Sequence, residues 1–160
     1  MGLVGVFFGI GEQARELIVE MVKGRRKGPM GRPQVERHSI QHTIAEIEID
    51  LAASRAMLAR TAAATDEFFA RHPAGQVPMG ELHQLAKDFQ CTKWFVTRKA
   101  MDIVDRALTT SGGTGYLSKS PLSRLYRAVR AGPFMQPLSP NEAFEYIGKA
   151  TLGLDPVLEN

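Results

Sequence analysis

Sulfur bridges, long apolar runs and a strong charge of either sign are all missing from this 160-residue chain. A single cysteine, Cys91, excludes a disulfide framework within one chain and a cysteine-based metal site, and the default expectation is a reducing cytoplasmic compartment. No stretch reaches the roughly 20 apolar residues that a membrane-spanning helix needs, so no membrane partner is expected. The most apolar run, Leu3 to Ile10, is followed directly by Glu12, Arg15 and Glu16, where a secretory signal would place a small-residue cleavage site. It reads as the start of a buried helix, and so abrupt an opening leads us to expect a truncated or split gene product. Twenty basic against seventeen acidic side chains leave a net charge of only +3. With no wide basic stripe and no stacking aromatics, no nucleic-acid partner is expected. Period-two alternation is absent as well, which argues against a sheet.

What is present is helical periodicity. Apolar residues three and four apart predict a first helix over 3–23, with Val6, Ile10, Ala14, Leu17, Ile18 and Met21 on one side. Glycines, prolines and charge at 24–33 stop it. A second helix is predicted over 35–71, carrying Ile40, Ile44, Ile47, Leu51, Ala52, Met57 and Leu58, and a third over 78–110. In the third, Leu82, Leu85, Phe89, Val96, Ala100, Ile103 and Ala107 keep a near-heptad spacing suited to antiparallel bundle packing. Trp94 reads as core or interface packing.

Three glycines within Ser111 to Tyr116 mark a chain turn. Ser120 and Pro121 then open a short helix, and Ser139, Pro140 and Glu142 form a capping box for a last one. The predicted fold is all-α: an up-down four-helix-bundle-like domain with short C-terminal helices, filling the whole chain as one domain.

His38, His42, Glu46 and Asp50 recur every fourth residue. They read as a solvated polar face opposite Ile40, Ile44 and Ile47, and no metal site is expected. A glycine-rich turn can bring backbone N–H groups to a phosphate, and Arg25-Arg26-Lys27 can meet one too. Alone, the first is more often a helix-ending turn and the second a solvated loop.

The string ALTTSGGTGYLSKSPLSRLYRAVRAGPF changes that weighing. It resembles the segment joining the last long helix to the final helices of acyl-CoA dehydrogenases, where a GG-x-GY turn precedes a P-x-x-R-L-Y-R-D-x-R helix. The matching positions are Gly112, Gly113, Gly115, Tyr116, Pro121, Arg124, Leu125, Tyr126, Arg127 and Arg130. GVFFGIGEQA and QHTIAEIEIDLAASRAMLARTAAATD are similar to the first two helices of the same C-terminal domain.

The resemblance implies a piece of a flavoprotein oxidoreductase whose N-terminal helical and middle β-domains lie elsewhere, in cis or in trans. It implies a homo-oligomer, dimer or tetramer, and an FAD (or FMN) cofactor bound across the subunit interface and met by Arg25, Gly112, Gly113 and Gly115. An isolated domain of this kind is not expected to be catalytic.

Two departures from the family pattern stand out. Thr109 occupies the position where many members carry a cofactor-contacting Gln. No carboxylate stands where dehydrogenases often place an Glu-Gly-Thr base before the last helix; Met135 to Asn141 is acid-free, and Glu142 is explained by capping. The base used by other members would fall upstream of Met1. No catalytic residue is therefore assigned, and three alternatives stay open: a dehydrogenase, a flavin-dependent monooxygenase on the same fold, or a stand-alone helical self-association module. An acyl thioester is the family's default substrate, but the sequence does not select one.

Overall fold

The computed structural model describes residues 2–25, 31, 33–73 and 75–157. Six α-helices follow in order: α1 Gly2–Gly24, α2 His38–Arg71, α3 Met79–Ser111, α4 Gly113–Tyr116, α5 Pro121–Val129 and α6 Pro140–Leu152. Among the described residues no strand occurs, as the sequence predicts.

The central element is α3, which touches α1, α2, α5 and α6. Residue pairings give the directions. Gly11 lies against Ala100 and Ile103 while Arg25 reaches Ser111, so α1 and α3 run parallel. Asp50 meets Lys99 and Arg106 while Thr61 meets Thr92, so α2 runs antiparallel to both. The return stroke is shared. Leu108 and Ser123 line one surface cup, Gly132 sits against Thr97, Phe144 against Trp94 and Tyr146 against His83. Together α5 and α6 thus descend the length of α3 as a broken fourth helix, interrupted by the 3-10 turn Gly132–Phe134 and by Pro137.

The core joins Phe7, Ala14, Ile18 and Val22 of α1 with Ile47 and Leu51 of α2, Ala100, Ile103, Val104 and Ala107 of α3, and Leu122 and Val129 of α5. Gly11 belongs to the α1 stripe as well, and a Cβ there would make only ordinary contacts, 3.5 Å from Ile103 Cδ1 and 3.8 Å from the Ala100 Cα.

Several expectations shift. Val6 is 58% exposed, because the buried row begins at Val4 and steps through Phe7, Gly11, Ala14, Ile18 and Val22, one row away from the side predicted. Leu82 is exposed too, and Ala52 faces outward. The second helix starts at His38, since Gln34–Glu36 form a 3-10 turn first. Ser120 caps α5 through its backbone, its carbonyl accepting from the Arg124 N–H, without a side-chain bond.

The proposed polar face of α2 is the largest correction. His38 and His42 are exposed as expected, but Asp50 is buried and its carboxylate is clasped by Lys99 Nζ and Arg106 Nη1, each at 3.0 Å. Glu46 takes the other side of Arg106 at 3.0 Å. A buried carboxylate is tolerated only when its charge and lone pairs are met, and two cations from α3 meet them here. The Asp50→Ala protein should therefore unfold at lower urea with an unchanged denaturant slope, a loss of about 1–3 kcal/mol from removing the carboxylate that joins two cations, of which Arg106 keeps Glu46 and Lys99 keeps Asp102. A chevron or equilibrium melt within about 0.5 kcal/mol of the parent would remove this clasp from the account.

Candidate functional site

The parallel course of α1 and α3 brings two helix C-termini to the same end of the domain. At that end α3 stops because Gly112 adopts φ +69°, a left-handed setting that glycine enters without a Cβ penalty. Its N–H bonds the Thr109 carbonyl at 3.1 Å. The chain then makes one further helical turn, α4, through the glycines themselves, where the sequence predicts only a chain turn.

Arg25 follows the last residue of α1 and reaches this junction. Its Nη1 donates to the Ser111 carbonyl at 3.0 Å and its Nη2 to Thr114 Oγ1 at 2.8 Å, while Thr114 Oγ1 donates to the same Ser111 carbonyl at 3.2 Å. One of the carbonyls left open by the end of α3 is thereby satisfied, and a cation sits where the helix dipole is negative. Among the described residues no carboxylate pairs with Arg25. Two of the five guanidinium N–H groups are used in these bonds.

The three glycines divide into two kinds. At Gly112 and Gly113 the space a Cβ would take is open, so the backbone there is bare. Gly115 is buried instead, and a Cβ on it would fall 1.7 Å from Ser111 Oγ and 2.7 Å from Ser111 Cβ. Its glycine is demanded by packing. The structure therefore brings Arg25, Gly112 and Gly113 to one open corner with Gly115 as its floor. Arg26 and Lys27 lie outside the described residues. Thr109 is exposed beside the turn.

Beside the middle of α3, Glu142 forms the capping box predicted for α6: its Oε2 accepts from the Ser139 N–H at 2.6 Å. The Ser139 hydroxyl and N–H hold the Glu142 carboxyl below its ordinary value. A carboxylate so stabilised is a weaker proton acceptor than a catalytic base should be. Nearby, Lys93 is buried and donates to the Leu138 carbonyl, and its burial pushes its amine below the usual lysine range. Trp94 packs edge-on against Phe144 with ring centroids 4.5 Å apart. Among the described residues no cluster of His, Cys, Asp or Glu is placed to hold a metal ion, and no helix is long and apolar enough to cross a membrane.

The described residues thus form an all-helical bundle that ends in a glycine turn under an arginine. The match is direct: residues 1–136 fit the model of the acyl-CoA dehydrogenase C-terminal domain, and the chain belongs to that family. Amino sugar nitrososynthase DnmZ of Streptomyces peucetius is 31% identical over 153 residues, 96% of this chain and 35% of that protein. L-evernosamine nitrososynthase of a Micromonospora species is 34% identical over 153 residues, 96% of this chain and 34% of that protein. A crystal structure of KijD3 in complex with FMN and dTDP-3-amino-2,3,6-trideoxy-4-keto-3-methyl-D-glucose superposes with a TM-score of 0.82 at 31% identity, covering 95% of this chain and 35% of KijD3. The chain thus spans about a third of the length of the curated relatives it matches.

The glycine geometry separates three substitutions. Gly115→Ala should cost about 1–3 kcal/mol through overpacking against Ser111, and Gly112→Ala about 1–2 kcal/mol through its positive φ. Gly113→Ala should be near neutral, and thermal melts of the three variants rank them. Acid adds a separate test at Glu142. Its depressed carboxyl contributes stability that is present above the ordinary carboxylate range, about pH 4.3, and is lost as pH falls through the lower folded value. The protection of the Ser139 amide against hydrogen exchange, taken relative to the intrinsic rate at each pH, should accordingly fall on acidification, and Glu142→Gln should make that protection independent of pH.

Proposed function

We propose that this chain is the C-terminal domain of a flavin-dependent enzyme that oxidises the amino group of a sugar, in the manner the nitrososynthase relatives' names describe. The observation that carries the reading is the acid-free stretch Met135 to Asn141, with Glu142 committed to capping. Converting an amine to a nitroso group places oxygen on nitrogen and removes N–H bonds. It needs no carboxylate poised to abstract a proton from carbon, which is the role a dehydrogenase requires. Reduced flavin, when bound, supplies the electrons for activating dioxygen.

The domain's own part is placement. Arg25 is a cation without a carboxylate partner among the described residues, set beside bare backbone at Gly112 and Gly113. That combination fits a phosphate group of the flavin, FAD or FMN, presented by a second subunit. A homo-oligomer follows from this arrangement, and exposed Leu3 and Val6 on α1 and Phe69 on α2 offer apolar surface for it. The same exposed residues also suit a helical module that only self-associates, and flavin retention separates the two.

Light scattering on the purified chain should report a dimer or larger species. A visible spectrum after desalting with FAD or FMN should show retained flavin, weakened by about tenfold or more in Arg25→Gln, since a charge-assisted phosphate contact contributes about 1.5–3 kcal/mol. An oligomer that stays colourless with both flavins would leave assembly as the role of these helices, and flavin bound equally by Arg25→Gln would remove Arg25 from the site.

A further inference from the structure

A long, rotamer-rich side chain just past a helix end samples many conformations in water, so Arg25 offers a guanidinium at a fixed place only if something holds it there. Thr114 does the holding. Three bonds close a ring at the junction of α3 and α4: Arg25 Nη1 donates to the Ser111 carbonyl at 3.0 Å, Arg25 Nη2 to Thr114 Oγ1 at 2.8 Å, and Thr114 Oγ1 to that same carbonyl at 3.2 Å. The hydroxyl works in both senses. By donating to the carbonyl it keeps its lone pairs for Arg25, while the carbonyl oxygen accepts twice and is satisfied.

Two features make this ring a mount for the guanidinium and not only an end for α3. The first is where it is anchored. Threonine is β-branched and stiff at χ1, and its neighbour Gly115 presses directly on Ser111, so the hydroxyl is carried on a fixed piece of backbone. The second is what the ring leaves open. A planar guanidinium held by one nitrogen can still turn about that bond, but held by both Nη1 and Nη2 its plane is set. Arg25 is only half-buried and Thr114 is exposed, so the N–H groups not used in the ring remain available in fixed directions.

We propose that Thr114 is a positioning residue: its hydroxyl sets the plane in which Arg25 meets a flavin phosphate, and it does not touch the phosphate itself. This rests on the flavin reading above. The GG-x-GY pattern leaves the position of Thr114 unspecified, so the hydroxyl is a feature of this chain and not a requirement of the turn. Ordering a free arginine at the moment of binding would weaken affinity about threefold to tenfold, and an arginine already ordered by Thr114 avoids that loss.

Fluorescence titration of the chain with FAD and with FMN, run as a double-mutant cycle, tests the assignment. Thr114→Val keeps the shape and removes the hydroxyl, and it should weaken flavin about threefold to tenfold, whereas Thr114→Ser should stay within about twofold of the parent. In an Arg25→Gln background Thr114→Val should have no further effect, because the hydroxyl acts only through the guanidinium. Without flavin, the heteronuclear NOE of the Arg25 Nε–H should fall in Thr114→Val and hold in Thr114→Ser, and circular dichroism checks that each variant folds. Equal flavin affinity in Thr114→Val and the parent, with Arg25→Gln still weak, would overturn the positioning role and leave the flavin reading standing. A loss in Thr114→Val that persists undiminished in the Arg25→Gln background would overturn it as well, since the hydroxyl would then act on the turn or on the flavin directly. A parent chain that binds neither flavin, or binds it no better than Arg25→Gln, would instead remove the reading beneath the proposal, and the proposal with it.

Discussion

The close parallel packing of α1 on α3 is the constraint on which the rest of the domain depends. Gly11, Ala14 and Ile18 meet Ala100, Ile103 and Ala107 along one seam, where the small residues on both helices let the two axes come near. Parallel helices bring like dipole ends together, so the C-termini of α1 and α3 share one corner of the molecule. Two partial negative charges in one place are unfavourable unless a cation lies between them. Arg25 occupies that position, and its bonds to Ser111 and Thr114 fix the turn that follows. One side chain thus serves both helix ends.

The opposite flank of α3 is fastened differently. Toward its C-terminal half, α2 is held by charge, through Asp50 and Glu46 to Lys99 and Arg106. Toward its N-terminal half the contact is a hydroxyl pair, Thr61 with Thr92 at 2.7 Å, both buried. Buried polar contacts of this sort tolerate little sliding, because a shifted register would leave each partner unsatisfied. Apolar rows alone would permit α2 to slip by a turn, since Ile40, Ile44, Ile47 and Leu51 present similar shapes. The polar pairs specify which register is taken.

How much of this was legible in the sequence depends on whether a feature is local. Helix ends were, because glycine and proline act within a few residues: α3 stops at Gly112, and α6 begins with the Ser139 and Glu142 box. The acyl-CoA dehydrogenase resemblance was legible for the same reason, its motif being contiguous. The burial of Asp50 was not, because it requires knowing that Lys99 and Arg106 lie opposite, some fifty residues on. Val6 and Val4 differ by half a turn, and only the partner helix decides which is inside. Gly112 and Gly115 look alike in a string, but one has open space and the other presses on Ser111. The acid-free interval between Asp105 and Glu142 was available too, a signal that net charge hides.

That interval also bears on how one scaffold can serve different oxidations. Under the proposed function, the corner formed by Arg25, Gly112 and Gly113 meets a flavin phosphate with a guanidinium and backbone, groups indifferent to what happens at the flavin ring far along the same cofactor. A change of reaction therefore need not disturb it. The segment before α6 is different in kind, for it is where a carboxylate would have to stand to take a proton from carbon. Here that segment is fixed by backbone and capping bonds, with Lys93 holding the Leu138 carbonyl and Glu142 turned back onto Ser139. Supplying a base would require both a new carboxylate and release of those bonds, whereas oxygen transfer to an amine requires neither. On the function proposed above, the domain retains the parts that place a cofactor and uses the segment before its last helix for structure alone.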